Sequence, residues 1–289
     1  MILRKWNPQI QEILIKLKEH KQNSLAVFDF DHTLIYGDQG FNLMNYLIEN
    51  LYIKADEEWF WDEKHWYNVP GEKIRKIKDL FFSLKKNPTK EHIKALLTEI
   101  FQVYDQIENQ NQEIAYRWTK IFFAGYKEEE LEKHSVQSFE QAMRVYSKND
   151  PSNQETQIAI HTALHDLIQY LNSSGWEIYI ITASPEVAIR AIIHHWGLKK
   201  SQVLGMKLQI KKNYLQPEII EPYPYGKGKW ERLRQVTHKP IILAVGDSRS
   251  DFDLLENAEY PVFINRNQNS NVLKEAEKKG FFIQSLVNE

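Results

Sequence analysis

The chain has 289 residues, with 37 Lys and Arg against 39 Asp and Glu, a formal net charge of -2, 12% aromatics and no cysteine. That length suits one large or two modest globular domains with a substantial core. A hydrophobic fraction of 42% excludes a largely disordered chain, the balanced charge excludes a general polyanion-binding surface, and the lack of thiols excludes disulfides, thiolate metal sites and a cysteine nucleophile.

Met1 to Ile10 holds basic residues but no unbroken apolar run behind them, so it does not read as a secretory signal and a cytoplasmic protein is expected. Apolar stretches such as Trp176 to Ser184 are much shorter than the roughly 20 residues of a bilayer span, so neither membrane nor nucleic acid is expected as a partner.

Ile10, Ile13, Leu14 and Leu17 recur at helical spacing, and a polar run ending at Ser24 leads into the apolar Leu25 to Phe28, a buried strand. From about Gly40 to Gln157 strand signals nearly vanish. Helical patterns at 74–84, 93–104 and 114–123 take over, and the polar stretch Ser147 to Thr156 has linker composition. Alternation then returns: helix around Leu164 to Leu171, strand Ile178 to Ile181, helix Val187 to Trp196, strand Ile241 to Val245, helix Phe252 to Leu255 and strand Tyr260 to Ile264. Strands alternating with helices imply an α/β doubly wound, parallel-sheet core, made of 1–38 and 158–289, with an all-helical insert at 39–157 after the first strand.

Three strand ends carry polar groups. Asp29-Phe-Asp31-His-Thr33 follows the first strand, Thr182-Ala183-Ser184 ends the second, and Gly246-Asp247 with Asp251 ends the third. Open parallel sheets bind ligands at these carboxyl ends. Taken singly, each has a plain structural reading: an Asx turn at Asp29, a helix cap at Ser184 before Pro185, a turn with a capping Asp at Asp247. Lys227 and Lys229 open the helix carrying Trp230, Leu233 and Val236, and a lysine in a helix's first turn is not favoured by the helix dipole, so one of them hints at another role. Four such features meeting at one sheet edge are far less probable by chance than any one of them.

Asp29-x-Asp31-x-Thr33, Thr182, Lys229 and Gly246-Asp247-x-x-x-Asp251 resemble the four motifs of the haloacid dehalogenase-like superfamily, across the whole core. The insert resembles that superfamily's helical cap of the first type, as in phosphoserine phosphatases and phosphocholine phosphatase-like proteins. The resemblance implies a Rossmann-like core and a phosphatase of small phosphomonoesters, with Asp29 as nucleophile forming an aspartyl-phosphate and Asp31 as general acid and base. Dehalogenation needs no such acid, so Asp31 favours phosphatase over dehalogenase. Mg²⁺ would be held by Asp29, the backbone carbonyl of Asp31 and Asp247, with Asp251 acting through a bound water or by orienting the site. Thr182, the Ala183 that follows it and Lys229 would hold the phosphoryl oxygens, Lys227 being the alternative lysine.

For the substrate, Asp38 stands nine residues after Asp29, where phosphoserine phosphatases carry an acid that meets the substrate's amine, while a turn residue is the competing reading. No arginine aligns with the one that holds a substrate carboxylate in those enzymes, Arg75 being a distant candidate. The stretch Trp59 to Tyr67 has five aromatics and flanking acids suited to an ammonium, although packing inside the insert is the commoner use of such residues. Transfer to an acceptor other than water, or a binding protein without turnover, are the alternatives to hydrolysis.

Overall fold

The computed structural model describes residues 6–20, 23–147, 158–266 and 271–285. Among the described residues ten strands run in chain order: β1 (Leu25–Phe28), β2 (Ile35–Tyr36), β3 (Ala159–Ile160), β4 (Glu177–Pro185), β5 (Val203–Met206), β6 (Leu208–Lys211), β7 (Tyr214–Ile219), β8 (Ile241–Gly246), β9 (Ala258–Asn265) and β10 (Phe282–Ser285). Six of them form one parallel sheet in the order β10-β9-β8-β1-β4-β5. This is the α/β architecture expected from the sequence.

Side chains alternate across a strand, so a strand covered on both faces must be apolar throughout. β1 shows it: Ala26 and Phe28 join one buried cluster with Ile178, Ile180 and Leu243, while Leu25 and Val27 join another with Ile181, Ala244 and Leu233. All four β1 residues are fully buried. Cutting Phe28 to alanine would cost about 3–5 kcal/mol by cavity formation.

The sequence alone marks neither β5, β6, β7 nor β10. β5 is only four residues long and contains Gly205, and β10 follows a short helix near the chain's end. The β6–β7 hairpin turns through Lys212 and Asn213, both left-handed at φ 51 and 67, without the Asn-Gly or Asp-Gly pair that usually announces such a turn. Val236, read as part of an apolar helix face, is instead 47% exposed.

Between β2 and β3 the described chain is helical, the longer helices being Gln39–Glu49, Gly71–Lys86, Lys90–Glu108 and Glu128–Ser147. The linker expected at 147–156 lies outside the described residues except for Ser147, which ends the last of these helices. β2 and β3 pair antiparallel, Ile35 with Ile160 and Tyr36 with Ala159, so the chain enters and leaves the helical stretch side by side. The aromatic run 59–67 packs within that stretch: Trp61 and Trp66 stack at 5.8 Å, and their indole N–H groups donate to the carbonyls of Ala55 and Phe60.

Candidate active site

β1 lies between β4 and β8, so successive connections leave it in opposite directions and open a crevice at the carboxyl ends of these three strands. The Asp29 backbone N–H donates to the Val245 carbonyl at 2.9 Å, carrying the pairing one residue past β1. The chain then turns sharply, the Phe30 carbonyl accepting from the Thr33 and Leu34 N–H groups and His32 taking a left-handed φ of 58. That turn returns Asp31 to the crevice.

Asp29, Thr182, Lys229, Asp247 and Asp251 are all at least nine-tenths buried there. The Lys229 ammonium donates to Oδ1 of Asp29 at 2.6 Å and to Oδ1 of Asp251 at 2.5 Å. Burial opposes its charge, but these two carboxylates outweigh burial and hold its pKa above the ordinary lysine value. Lys227 points outward, 76% exposed and paired with Glu231, so of the two lysines only Lys229 reaches the site.

The Thr33 hydroxyl donates toward Oδ2 of Asp29 and Oδ1 of Asp247, each 3.2 Å away, tying the first strand end to the third. Oδ2 of Asp251 accepts the backbone N–H groups of Asp247 (3.1 Å) and Ser248 (2.9 Å) and the Ser248 hydroxyl (2.8 Å). Asp251 thus spends both oxygens inside the protein, orienting Lys229 and the Asp247 loop. Gly246 permits this: a Cβ there would come within 2.5 Å of the Asp251 Cβ.

Asp31 sits opposite. Its Oδ2 accepts the hydroxyls of Thr182 at 3.0 Å and Ser184 at 2.7 Å, and its Oδ1 accepts the Gln39 N–H at 2.7 Å. Ser184 therefore does not cap the following helix as the sequence suggests. Pro185 occupies that capping position, and the Ser184 side chain is turned into the site instead. Thr182 likewise spends its hydroxyl on Asp31. Ala183 lines the same cavity.

Burial pushes the pKa of Asp31 up, against the hydrogen bonds from Ser184, Gln39 and Thr182, and pushes that of Asp29 well up against the opposing pull of Lys229. Asp247 rises to about 6 by burial, although Arg266 counters it. The Arg266 Nη2 lies 2.6 Å from Oδ2 of Asp247, close enough for an ion pair but not aligned for a hydrogen bond.

Ligand oxygens of Asp29, Asp247 and Asp251 all lie within 4.8 Å of one another, and these hard, buried carboxylate donors suit Mg²⁺. Asp31 is not in that group, its carboxylate being engaged by Thr182, Ser184 and Gln39.

The cavity beside these groups holds about 100 Å³. Asp38 borders it as the N-cap of helix Gln39–Glu49, Oδ1 accepting the Phe41 N–H at 2.8 Å, so it is both a turn residue and a wall of the site. Its pKa is pushed well up by burial and by Asp31. Gln112 and Tyr116 close the cavity from the helical stretch and Tyr225 from the core, where the Tyr225 hydroxyl donates to Oε1 of Gln112 at 2.8 Å. None of these three, nor Arg266, stands out in the sequence. Arg75 and the aromatics at 59–67 are not among the residues lining this cavity.

Residues 79–256 match the family profile of the haloacid dehalogenase-like hydrolases. The chain belongs to this family. The match to the haloacid dehalogenase-like hydrolases takes in Thr182, Lys229, Asp247 and Asp251 and begins after Asp29 and Asp31. In structure, a conserved protein of unknown function from Anaerococcus prevotii superposes with a TM-score of 0.69 at 19% identity, over 95% of this chain and 90% of that one. A protein of unknown function from Bordetella pertussis gives 0.55 at 16% identity, over 91% and 98%. Both likenesses are of fold. A substrate-bound phosphoserine phosphatase complex gives 0.48 at 16% identity, over 91% and 93%, too loose to argue from. No curated protein matches the sequence.

Proposed function

We propose that the chain is a Mg²⁺-dependent phosphatase of small phosphomonoesters that works through an aspartyl-phosphate on Asp29. The observation that supports this most is the pairing of two carboxyl groups with opposite surroundings: Asp29 against the Lys229 ammonium, and Asp31 against only neutral donors. Oδ1 of Asp29 is held by the Lys229 ammonium at 2.6 Å, whereas Oδ2 meets the Thr33 hydroxyl at 3.2 Å, a contact shared with Asp247, so Oδ2 is the oxygen to attack phosphorus. The ester oxygen departs with the proton of Asp31, whose raised pKa lets it carry one. Water then attacks the phosphorus of the aspartyl-phosphate, Asp31 takes its proton, and phosphate leaves with Asp29 restored. A Mg²⁺ held by Asp29 and Asp247 would offset the repulsion between carboxylate and phosphate dianion. Lys229 adds a fixed positive charge on the same side.

The cavity of about 100 Å³ beside the carboxylates accommodates a small ester. Asp38 beside it, with Tyr116 and Tyr225 as neighbouring walls, favours an amine-bearing leaving group, since an ammonium would draw Asp38 into its charged form.

Hydrolysis of p-nitrophenyl phosphate with Mg²⁺ and with a chelator, for the natural chain and for Asp29→Asn, tests the proposal. Activity is expected only for the natural chain with Mg²⁺. Steady turnover by a folded Asp29→Asn protein, or full activity after exhaustive chelation, would overturn it.

A further inference from the structure

A second cavity, of about 570 Å³, lies between the helical stretch and the β6–β7 hairpin. Its floor is a backbone seam: the Gly125 N–H donates to the Leu215 carbonyl at 2.7 Å, and the Leu215 N–H to the Tyr126 carbonyl at 2.8 Å. Its volume is in the range of pockets that enclose small organic ligands. Nothing in the hydrolytic chemistry proposed above uses it.

Three inner groups give it a definite chemistry. His65 is 4% exposed, lines the cavity, and has no hydrogen-bond partner for either ring nitrogen among the described residues. Its ring nitrogens are therefore free to meet a molecule that enters the cavity. Lys54, half-buried, pairs with no carboxylate among the described residues, its ammonium lying 4.3 Å over the Tyr126 ring. The half-buried indole of Trp59 meets His65 edge-on at 6.3 Å. Gly125, at φ +82, lets these groups close in, since a Cβ there would meet Lys54 at 2.7 Å and Trp59 at 3.1 Å. The exposed rim carries both signs, Lys64 against Glu57 and Glu218, while Leu215 and Pro217 supply apolar wall.

We infer that this cavity is a binding site for a small organic anion with a flat apolar body, its carboxylate or phosphoryl group met by Lys54 and His65 and its body laid against Trp59 and Leu215. A neutral imidazole can donate one hydrogen bond to such an anion, and an ammonium without a counter-ion supplies the charge. The site is independent of the hydrolytic reading, and both sides of the cavity must be present for it to exist.

The experiment is a titration of the full chain, labelled with ¹⁵N in its histidine rings, using phenylacetate and phenylphosphonate as anionic probes. Benzylamine and benzyl alcohol serve as the cationic and neutral controls. The His65 resonance, identified by its loss in His65→Gln, is expected to move saturably with either anion and not with the controls. Lys54→Gln, which keeps most of the stem against Gly125, should weaken binding about tenfold, and Asp29→Asn should leave it unchanged. Phenylacetate alone succeeding would assign a carboxylate ligand, and phenylphosphonate alone a phosphoryl one. Failure of both anions to move His65, equal binding of benzylamine, or full affinity in a folded Lys54→Gln protein would each overturn the assignment and leave a water-filled cleft.

Discussion

Replacing Lys229 by methionine removes a cation that contacts both Asp29 and Asp251, whose side chains are 8% and 2% exposed. Breaking a buried ion pair by deleting one partner typically costs about 3–5 kcal/mol. Protonation limits that loss, because a carboxyl can escape an uncompensated charge by binding a proton. From an ordinary aspartate value of 3.8, protonating one carboxyl costs about 5 kcal/mol at pH 7.5 but only about 1.6 kcal/mol at pH 5. The sign follows: losing Lys229 raises the folded-state pKa of Asp29 further, so the variant's stability falls as pH rises. Lys229→Met should therefore be destabilised by about 3–5 kcal/mol at pH 7.5 and by about 2 kcal/mol or less at pH 5. At the higher pH this lowers the melting temperature by roughly 10 °C for a chain of this size. Urea and thermal melts of both proteins in a chelating buffer at the two pH values measure it. Equal destabilisation at pH 5 and pH 7.5 would refute the reasoning, since the cost would then be lost packing rather than unpaired charge.

Ser184→Ala should raise the pKa of Asp31, because a hydroxyl that favours the charged form is lost, and move the basic limb of the kcat/KM profile upward; an unmoved limb would separate Ser184 from the acid. In chelator, the contribution of Asp247, whose pKa rises from 3.8 to about 6, is fully present below pH 3.8 and lost through pH 6. The loss is worth roughly 3 kcal/mol, so the stabilisation produced by added Mg²⁺, read by calorimetry, should grow over the same window. Asp247→Ala should abolish that stabilisation, whereas Asp251→Ala should weaken it less but lower the melting temperature of the chelated protein as well. Asp38→Asn should raise KM for phosphoethanolamine several-fold and leave a neutral aryl phosphate nearly unchanged, as measured across a phosphoester panel; equal losses on every ester would reduce Asp38 to a helix cap.

The sheet was legible where chemistry and burial coincide. Leu25 to Phe28 must be apolar throughout because both faces are covered, and such a run followed by Asp29 is unlike anything a surface loop offers. Asp29, Asp31, Thr182, Lys229, Asp247 and Asp251 converge as their motif spacing suggests, because each lies at or close to the end of a strand or the start of a helix whose register the core fixes. Ser184 departs from its sequence expectation because local rules describe the residue before a helix proline as a cap, while its partner, Asp31, lies 153 positions away in sequence. The walls formed by Gln112, Tyr116, Tyr225 and Arg266 were invisible for the same reason: a tyrosine in a helix looks like packing until another segment shows what it faces. The aromatic run 59–67 drew attention by composition alone, and composition does not say which way an indole points.

The two-residue clasp of β2 and β3 has a consequence for how such a protein can change over generations. Adjacent strands lie about 4.8 Å apart, so the helical stretch begins and ends at almost one place. Insertions, deletions or wholesale replacement between those points leave the position of Asp29 on β1 untouched, while they rebuild Gln112 and Tyr116. The strand-end carboxylates and the walls that face them are thus carried on separable lengths of chain, free to diversify at different rates.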